Sequence, residues 1–105
     1  MIDLDKIAGF DWDAGNARKN EKHGVTHAEA EQVFFNEPLF ITPDESHSES
    51  EQRYRALGET GNGRRLTVVF TLRQADALIR VISARNMNAK ERKLYEQESK
   101  INPEV

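Results

Sequence analysis

Eight arginines crowd into the stretch from residue 53 to residue 92: Arg53, Arg55, Arg64, Arg65, Arg73, Arg80, Arg85 and Arg92. A guanidinium is planar, stays charged at any relevant pH, and offers a fork of N–H donors that fits two oxygens of a phosphate or carboxylate at once. Side chains able to move a proton accompany them. Lys22 and His23 are adjacent, and an imidazole with its unperturbed pKa of about 6.5 works as acid or base near neutrality. Glu91 and Tyr95 are four residues apart, a spacing that sets both on one side of a helix. These types together serve anion binding combined with general acid–base chemistry. Each also has a plainer role: the arginines as solvated surface, His23 as a cap on a helix end, Glu91 as the partner of Asn88 at a helix start, and Tyr95 as packing beside Leu94.

Thiol chemistry is excluded, because the chain has no cysteine; disulfides and thiolate metal sites go with it. Asp44, His47 and Glu51 offer metal-ligating atoms, but their spacing matches no established site, and neither a metal nor another cofactor is expected. Trp12 and the five phenylalanines show no pattern of a base-stacking platform and read as core or partner contacts.

Charge is divided unevenly. Residues 1–51 hold 4 Lys/Arg against 12 Asp/Glu, net −8, whereas residues 52–105 hold 11 against 6, net +5. The overall −3 therefore conceals a second half able to present a cationic surface, to which an anionic substrate is drawn by the local field. With 37% hydrophobic and 31% charged residues over 105 positions, one domain spanning 1–105 with a modest core is expected. No run reaches the roughly 18 apolar residues of a membrane span, and the first residues lack a basic segment followed by an apolar one; the expectation is a soluble, cytoplasmic protein without membrane contact.

The elements that must position these groups are legible in part. Ile7 to Trp12 reads as a short strand, and Asp13 caps a helix of about 14–23 that Gly24 closes. Thr26 with Glu29 forms a capping box for a helix of about 27–36, with Ala28, Ala30, Val33 and Phe34 as its apolar stripe. Leu39 to Thr42 is strand-like between two prolines, and Asp44 to Glu51 is polar throughout and reads as an exposed loop. Residues 52–59 and 64–72 alternate on either side of Thr60-Gly61-Asn62-Gly63, a hairpin signal, and 78–84 completes a meander. Asn88 with Glu91 opens a last helix of about 89–99 that has little apolar surface, reads as weakly held, and is expected to lie near a partner. The order β-α-α-β-β-β-β-α describes an α+β fold with an antiparallel sheet. Leu66, Val68, Phe70 and Leu72 share one face of their strand; Arg65, Thr67, Val69, Thr71 and Arg73 share the other, mostly polar one. Arg53 and Arg55 likewise fall together, opposite Tyr54 and Ala56. If the first two helices cover the apolar side, the opposite side is an open surface bearing several arginines.

Several short stretches in order carry a family resemblance: Phe10-Asp11-Trp12-Asp13; Asn20 to Val25; Ala30 with Val33-Phe34; Glu51-Gln52-Arg53-Tyr54 and Gly58; Arg80 to Arg85; and Glu91-Arg92 with Tyr95. From about residue 10 to 95 the chain resembles the BrnT-like type II toxins, which are built on a RelE-like scaffold. The resemblance implies an RNA-cleaving activity that suppresses translation, acting on RNA that is free or on the ribosome. It also implies neutralisation by a cognate antitoxin with a DNA-binding domain, and contact with promoter DNA only through that antitoxin. Metal-independent cleavage requires the 2′-hydroxyl deprotonated, the leaving 5′-oxygen protonated and the extra phosphorane charge stabilised. Under the resemblance Arg85 and Arg64 lead for the last role, His23, Lys22, Glu91 and Tyr95 are candidates for proton transfer, and Arg53, Arg55, Arg65, Arg73, Arg80 and Arg92 for binding RNA. Two readings compete with it: a non-catalytic RNA- or protein-binding module using the same sheet, and a metal-dependent hydrolase.

Overall fold

The computed structural model describes residues 2–44 and 51–101, apart from the side chains of 19–21. Behind a 3-10 turn at Leu4–Lys6 come β1 (Gly9–Phe10), α1 (Ala14–Lys22), α2 (His27–Gln32), β2 (Phe40–Pro43), β3 (Tyr54–Glu59), β4 (Arg65–Arg73), β5 (Leu78–Asn86) and α3 (Ala89–Ile101). The α+β class and the order of elements are those expected. The sheet runs β1-β5-β4-β3-β2, and β2 to β5 are antiparallel neighbours. β1 corrects the expectation of a wholly antiparallel sheet: it lies parallel to β5, with Gly9 opposite Leu78 and Phe10 opposite Ile79. Two helices separate β1 from the meander, and a connection of that length permits either direction.

Helix starts follow the local chemistry. The Asp13 carboxylate accepts from the Gly15 and Asn16 amides at 2.8 and 3.2 Å, and Gly24 takes the left-handed conformation (φ +68°) just beyond α1, where a side chain is disfavoured. Both arms of the Thr26–Glu29 capping box are present. α2 stops at Gln32 rather than near 36, because the Phe34 and Phe35 amides bond to the Glu31 and Gln32 carbonyls three residues back, a tighter winding that ends α-helices. Phe34 then meets Phe70 edge-on, with ring centroids 5.0 Å apart.

Ala30 from α2 and Val33 at its C-cap, with Val25 before the helix, cover the inner face of the sheet, where Ala56, Leu66, Val68, Phe70, Ile79, Val81 and Ala84 form the main core. On the outer face, α3 crosses one end and makes a second, smaller core of Leu57, Met87 and Tyr95 with Phe40 packed against it. The outer face is thus less open than expected; Thr67 and Thr71 are buried. α3 is also held more firmly than its sparse apolar residues suggest, since Tyr95 is 1% exposed and its hydroxyl donates to the Pro38 carbonyl at 2.7 Å. The acidic loop expected at 44–51 falls mainly on 45–50, outside the described residues, as does the metal reading of His47. At its near end Asp44 is buried, not exposed.

One irregularity in the sheet governs the placement of cations. Val69 pairs with Ser83 but Phe70 pairs with Val81, so Ile82 is an extra residue, a β-bulge. Arg80 and Arg85, five apart, would point to opposite faces of a regular strand. With Ile82 removed from the alternation, Arg80 sits opposite Thr71 and Arg85 opposite Thr67, and both belong to the outer face.

The inner face tolerates little added volume where β3 passes α2. A Cβ at Gly58 would lie 2.7 Å from Val33 Cγ1 and 3.3 Å from the Val33 carbonyl oxygen. Gly58→Val is expected to destabilise the fold by about 1–3 kcal/mol through overpacking, read from chemical denaturation midpoints at constant slope.

Candidate functional site

The register collects six of the predicted arginines on the outer face. Arg55 lies opposite Val69, Arg65 opposite Glu59, Arg73 opposite Leu78, Arg80 opposite Thr71 and Arg85 opposite Thr67, while Arg53 precedes Tyr54 and alternates with Arg55. Arg53, Arg73 and Arg80 converge on an open cleft of about 250 Å3 that is also lined by Gly15, Asn16, Glu51, Val81 and Ile82. Its far wall is the start of α1, fixed to the sheet by Asn16: the side-chain amide donates to the Val81 and Asp11 carbonyls at 3.0 and 2.9 Å, and its oxygen accepts from the Asp13 amide at 2.7 Å. A short polar residue buried at 4% exposure with all these bonds satisfied fixes the helix in place.

Arg80, Arg73, Arg55 and Arg65 are met by carboxylates. Arg80 reaches Asp13 at 3.0 Å and Asp11 at 3.5 Å; the hydrogen bond from Arg80 lowers the Asp13 pKa, and the one to Asp13 raises that of Arg80. Arg73 pairs with Glu51, Arg55 with Asp44 at 3.6 Å, and Arg65 with Glu96 at 2.7 Å and Glu59 at 3.2 Å. The Arg65 guanidinium also stands 5.4 Å from the centre of the Tyr95 ring, within cation–π range.

Arg85 and Glu91 form a two-pronged pair at 2.7 and 2.9 Å. Glu91 simultaneously accepts from the Asn88 amide at 2.9 Å, while Asn88 accepts from the Glu91 amide at 2.8 Å, so the capping reading of Glu91 and its pairing with Arg85 hold together. Burial alone would raise the Glu91 pKa; the hydrogen bonds from Arg85 and from the Asn88 amide outweigh it and bring the value to about 2. Burial pushes the Tyr95 hydroxyl in the other direction, to about 12.

Other predicted residues lie elsewhere. Arg64 alternates to the inner side, where its guanidinium donates to the Gly24 carbonyl and Glu29 at 3.0 Å and to Asn86 Oδ1 at 2.8 Å; it fastens the turn between α1 and α2 to the end of the β4–β5 ladder. Arg92 donates to the Met87 carbonyl at 2.7 Å at the start of α3. Lys22 and His23 are exposed at the end of α1 remote from the cleft. Sequence reasoning read Glu51 as a possible metal ligand and Asp13 as a helix cap, and missed that Glu51, Asp11 and Asp13 pair with Arg73 and Arg80; the alternation of Asp11 and Asp13 about Trp12 was the available signal. It also passed over His27, stacked on Trp12 at 3.9 Å between centroids. Trp12 itself donates to Glu31 at 2.8 Å and packs on the core. Among the described residues, no group of three or more His, Asp or Glu is placed to hold a metal ion.

Residues 12–91 match the family model of the ribonuclease toxin BrnT of type II toxin–antitoxin systems. The chain belongs to the BrnT family. The match spans the bulge, all six arginines of the outer face and the Arg85–Glu91 pair, so this BrnT chain is a ribonuclease toxin of a type II toxin–antitoxin family. No curated protein sequence matches the chain significantly.

The Arg85–Glu91 pair has a pH signature. Because the folded-state value of about 2 lies below the ordinary 4.5, Glu91 stabilises the fold fully above pH 4.5, and that contribution is lost as pH falls toward 2. Glu91→Gln is expected to cost roughly 2–3 kcal/mol at pH 7 and to flatten stability between pH 4.5 and 2, measured by denaturant titration across a pH series.

Proposed function

We propose that this BrnT toxin cleaves RNA on the outer face of its sheet, with the scissile phosphate in the cleft of Arg53, Arg73 and Arg80. The observation that carries the reading is the bulge at Ile82, which supports a continuous row from that cleft to Arg85. Guanidinium groups supply the positive charge that stabilises the phosphorane, so the reaction is proposed to run without a metal. Glu51 is the carboxylate lining the cleft. A phosphate that takes its place on Arg73 frees it beside the substrate to accept the 2′-hydroxyl proton, and water in the open cleft returns a proton to the leaving 5′-oxygen. Arg65 and Arg85, about a third exposed, extend the track for neighbouring phosphates. Tyr95 and Glu91 support α3, and Arg64 and Arg92 hold local turns.

In the cell this activity is proposed to suppress translation, on free or ribosome-bound RNA, until a cognate antitoxin binds; the toxin then reaches promoter DNA only through that antitoxin. A cytoplasmic location follows from such a substrate, and no helix among the described residues is long and apolar enough to cross a membrane. One observation favours the alternative of binding without cleavage: the arginines Arg80 and Arg85 are already committed to internal carboxylates. Product analysis on a denaturing gel separates the two. Arg80→Ala and Arg73→Ala are each expected to slow cleavage of RNA by purified toxin about a hundredfold or more, and Glu51→Gln comparably, while His23→Ala changes it little. Loss of cleavage in His23→Ala with Arg80→Ala still active would move the centre to the far end of α1, and inhibition of translation in vitro without any cleavage product would replace the ribonuclease by a binder.

A further inference from the structure

Strand β2 forms one edge of the sheet, and its hydrogen-bonding pattern shows what that edge offers. The Asp44 amide donates to the Arg53 carbonyl at 2.8 Å, which makes Asp44–Arg53 a bonded pair. Antiparallel alternation then makes Thr42–Arg55 and Phe40–Leu57 bonded pairs as well, and turns the Ile41 amide and the Ile41 and Pro43 carbonyls toward the open side. Backbone groups in that position are a template for another strand.

The open edge runs between two hollows, one on each face. On the outer face a groove of about 510 Å3 lies between β2 and α3, walled by Phe40, Leu57 and Leu94 and ending at Glu98. On the inner face a hollow of about 430 Å3 is walled by Ile2, Ile41, Pro43 and Tyr54. A strand added beside β2 would direct successive side chains into these two hollows in turn. That pairing of free backbone with alternating pockets is the geometry of strand addition, in which main-chain bonds give affinity and the pockets give selectivity. The outer wall continues along α3, because Leu94, Glu98 and Ile101 share one stripe, with Leu94 47% and Ile101 71% exposed. The charged groups of the groove are unequal: Arg55 is paired with Asp44 and Glu91 with Arg85, whereas Glu98 has no ion pair among the described residues and can attract a cation.

We propose that the β2 edge receives an extended segment of the cognate antitoxin, with apolar side chains at alternate positions and a lysine or arginine set against Glu98. The proposal rests on the toxin–antitoxin reading and is independent of where RNA is cut. The occupant is an extended protein segment because the alternating donors and acceptors of the edge are matched in register by another strand, whereas a helix has its backbone groups already bonded.

The test uses the full-length toxin and its purified cognate antitoxin. Amide hydrogen exchange should slow at Ile41 on complex formation, and Leu94→Arg and Glu98→Lys should each weaken binding by about tenfold or more in calorimetry. Leu94 and Glu98 are surface positions outside the cleft, so both variants should keep wild-type RNA cleavage and melting temperature, which separates lost docking from lost folding. Phe35→Ser, at the exposed aromatic near the opposite edge, should bind normally. Unchanged Ile41 exchange in the complex overturns strand addition, even if Leu94→Arg weakens binding, since that outcome describes a helix in the groove. Wild-type affinity in both α3 variants, or a loss confined to Phe35→Ser, also overturns it. Should the wild-type toxin protect Ile41 in the complex yet leave RNA intact, the docking site stands and the ribonuclease reading fails.

Discussion

A β-strand shows its side chains alternately on two faces, so residues five apart are divided by the sheet unless one of those between is taken out of the count. Ile82 is that residue here. Without it, either Arg80 or Arg85 would be driven toward the inner face, where Ala30, Val33, Val68 and Phe70 are fully buried. A guanidinium there would have to be desolvated without a partner, at a cost of several kcal/mol, of the order seen for an unpaired buried charge. The bulge removes that conflict and sets one row of cations across β3, β4 and β5. It also sits in the wall of the cleft, beside the start of α1, so the same irregularity that aligns the row shapes the hollow beside Arg73 and Arg80.

Two devices keep the periphery in register with that row. Arg64 ties the α1–α2 turn to the end of the ladder, and Asn16 ties the beginning of α1 to Val81, so the helix is pinned near both ends. α3 is pinned through Tyr95 and the Arg85–Glu91 pair. None of these side chains needs to meet a substrate to matter: each fixes the distance between the arginines and the backbone that frames them.

The sequence disclosed most of the elements because their signals are local. The Thr26–Glu29 box, Gly24 after α1 and the Asn-Gly turn between β3 and β4 each act within a few residues, and the alternation in β4 sorted its two faces correctly. What escaped were consequences of pairing between distant segments. The parallel direction of β1 depends on how two helices return the chain, and the bulge exists only relative to β4. Arg64 was ranked with Arg85 for the phosphorane charge because a guanidinium suits that role, although its position next to Arg65 sends it inward to Glu29. Glu91 and Tyr95 were rightly placed on one side of α3, but only the packed sheet beneath reveals that this side is buried. Family likeness was legible in short stretches such as Phe10 to Asp13 and Arg80 to Arg85; the acids paired with the cleft arginines were not, since two of them precede Arg80 by more than sixty residues.

The carboxylates on the outer face have a consequence for kinetics. Asp11, Asp13 and Glu51 are tethered to the fold that carries Arg73 and Arg80, so each behaves as a resident competitor at an effective concentration that a short tether brings to about the millimolar range. If RNA is cut in this cleft as proposed, an arriving polyanion trades places with them, and they stand ready to reclaim the guanidinium groups as soon as the bound chain is severed. On that proposal affinity is surrendered at entry and the departing fragments are displaced from within, which favours repeated turnover over retention of the product.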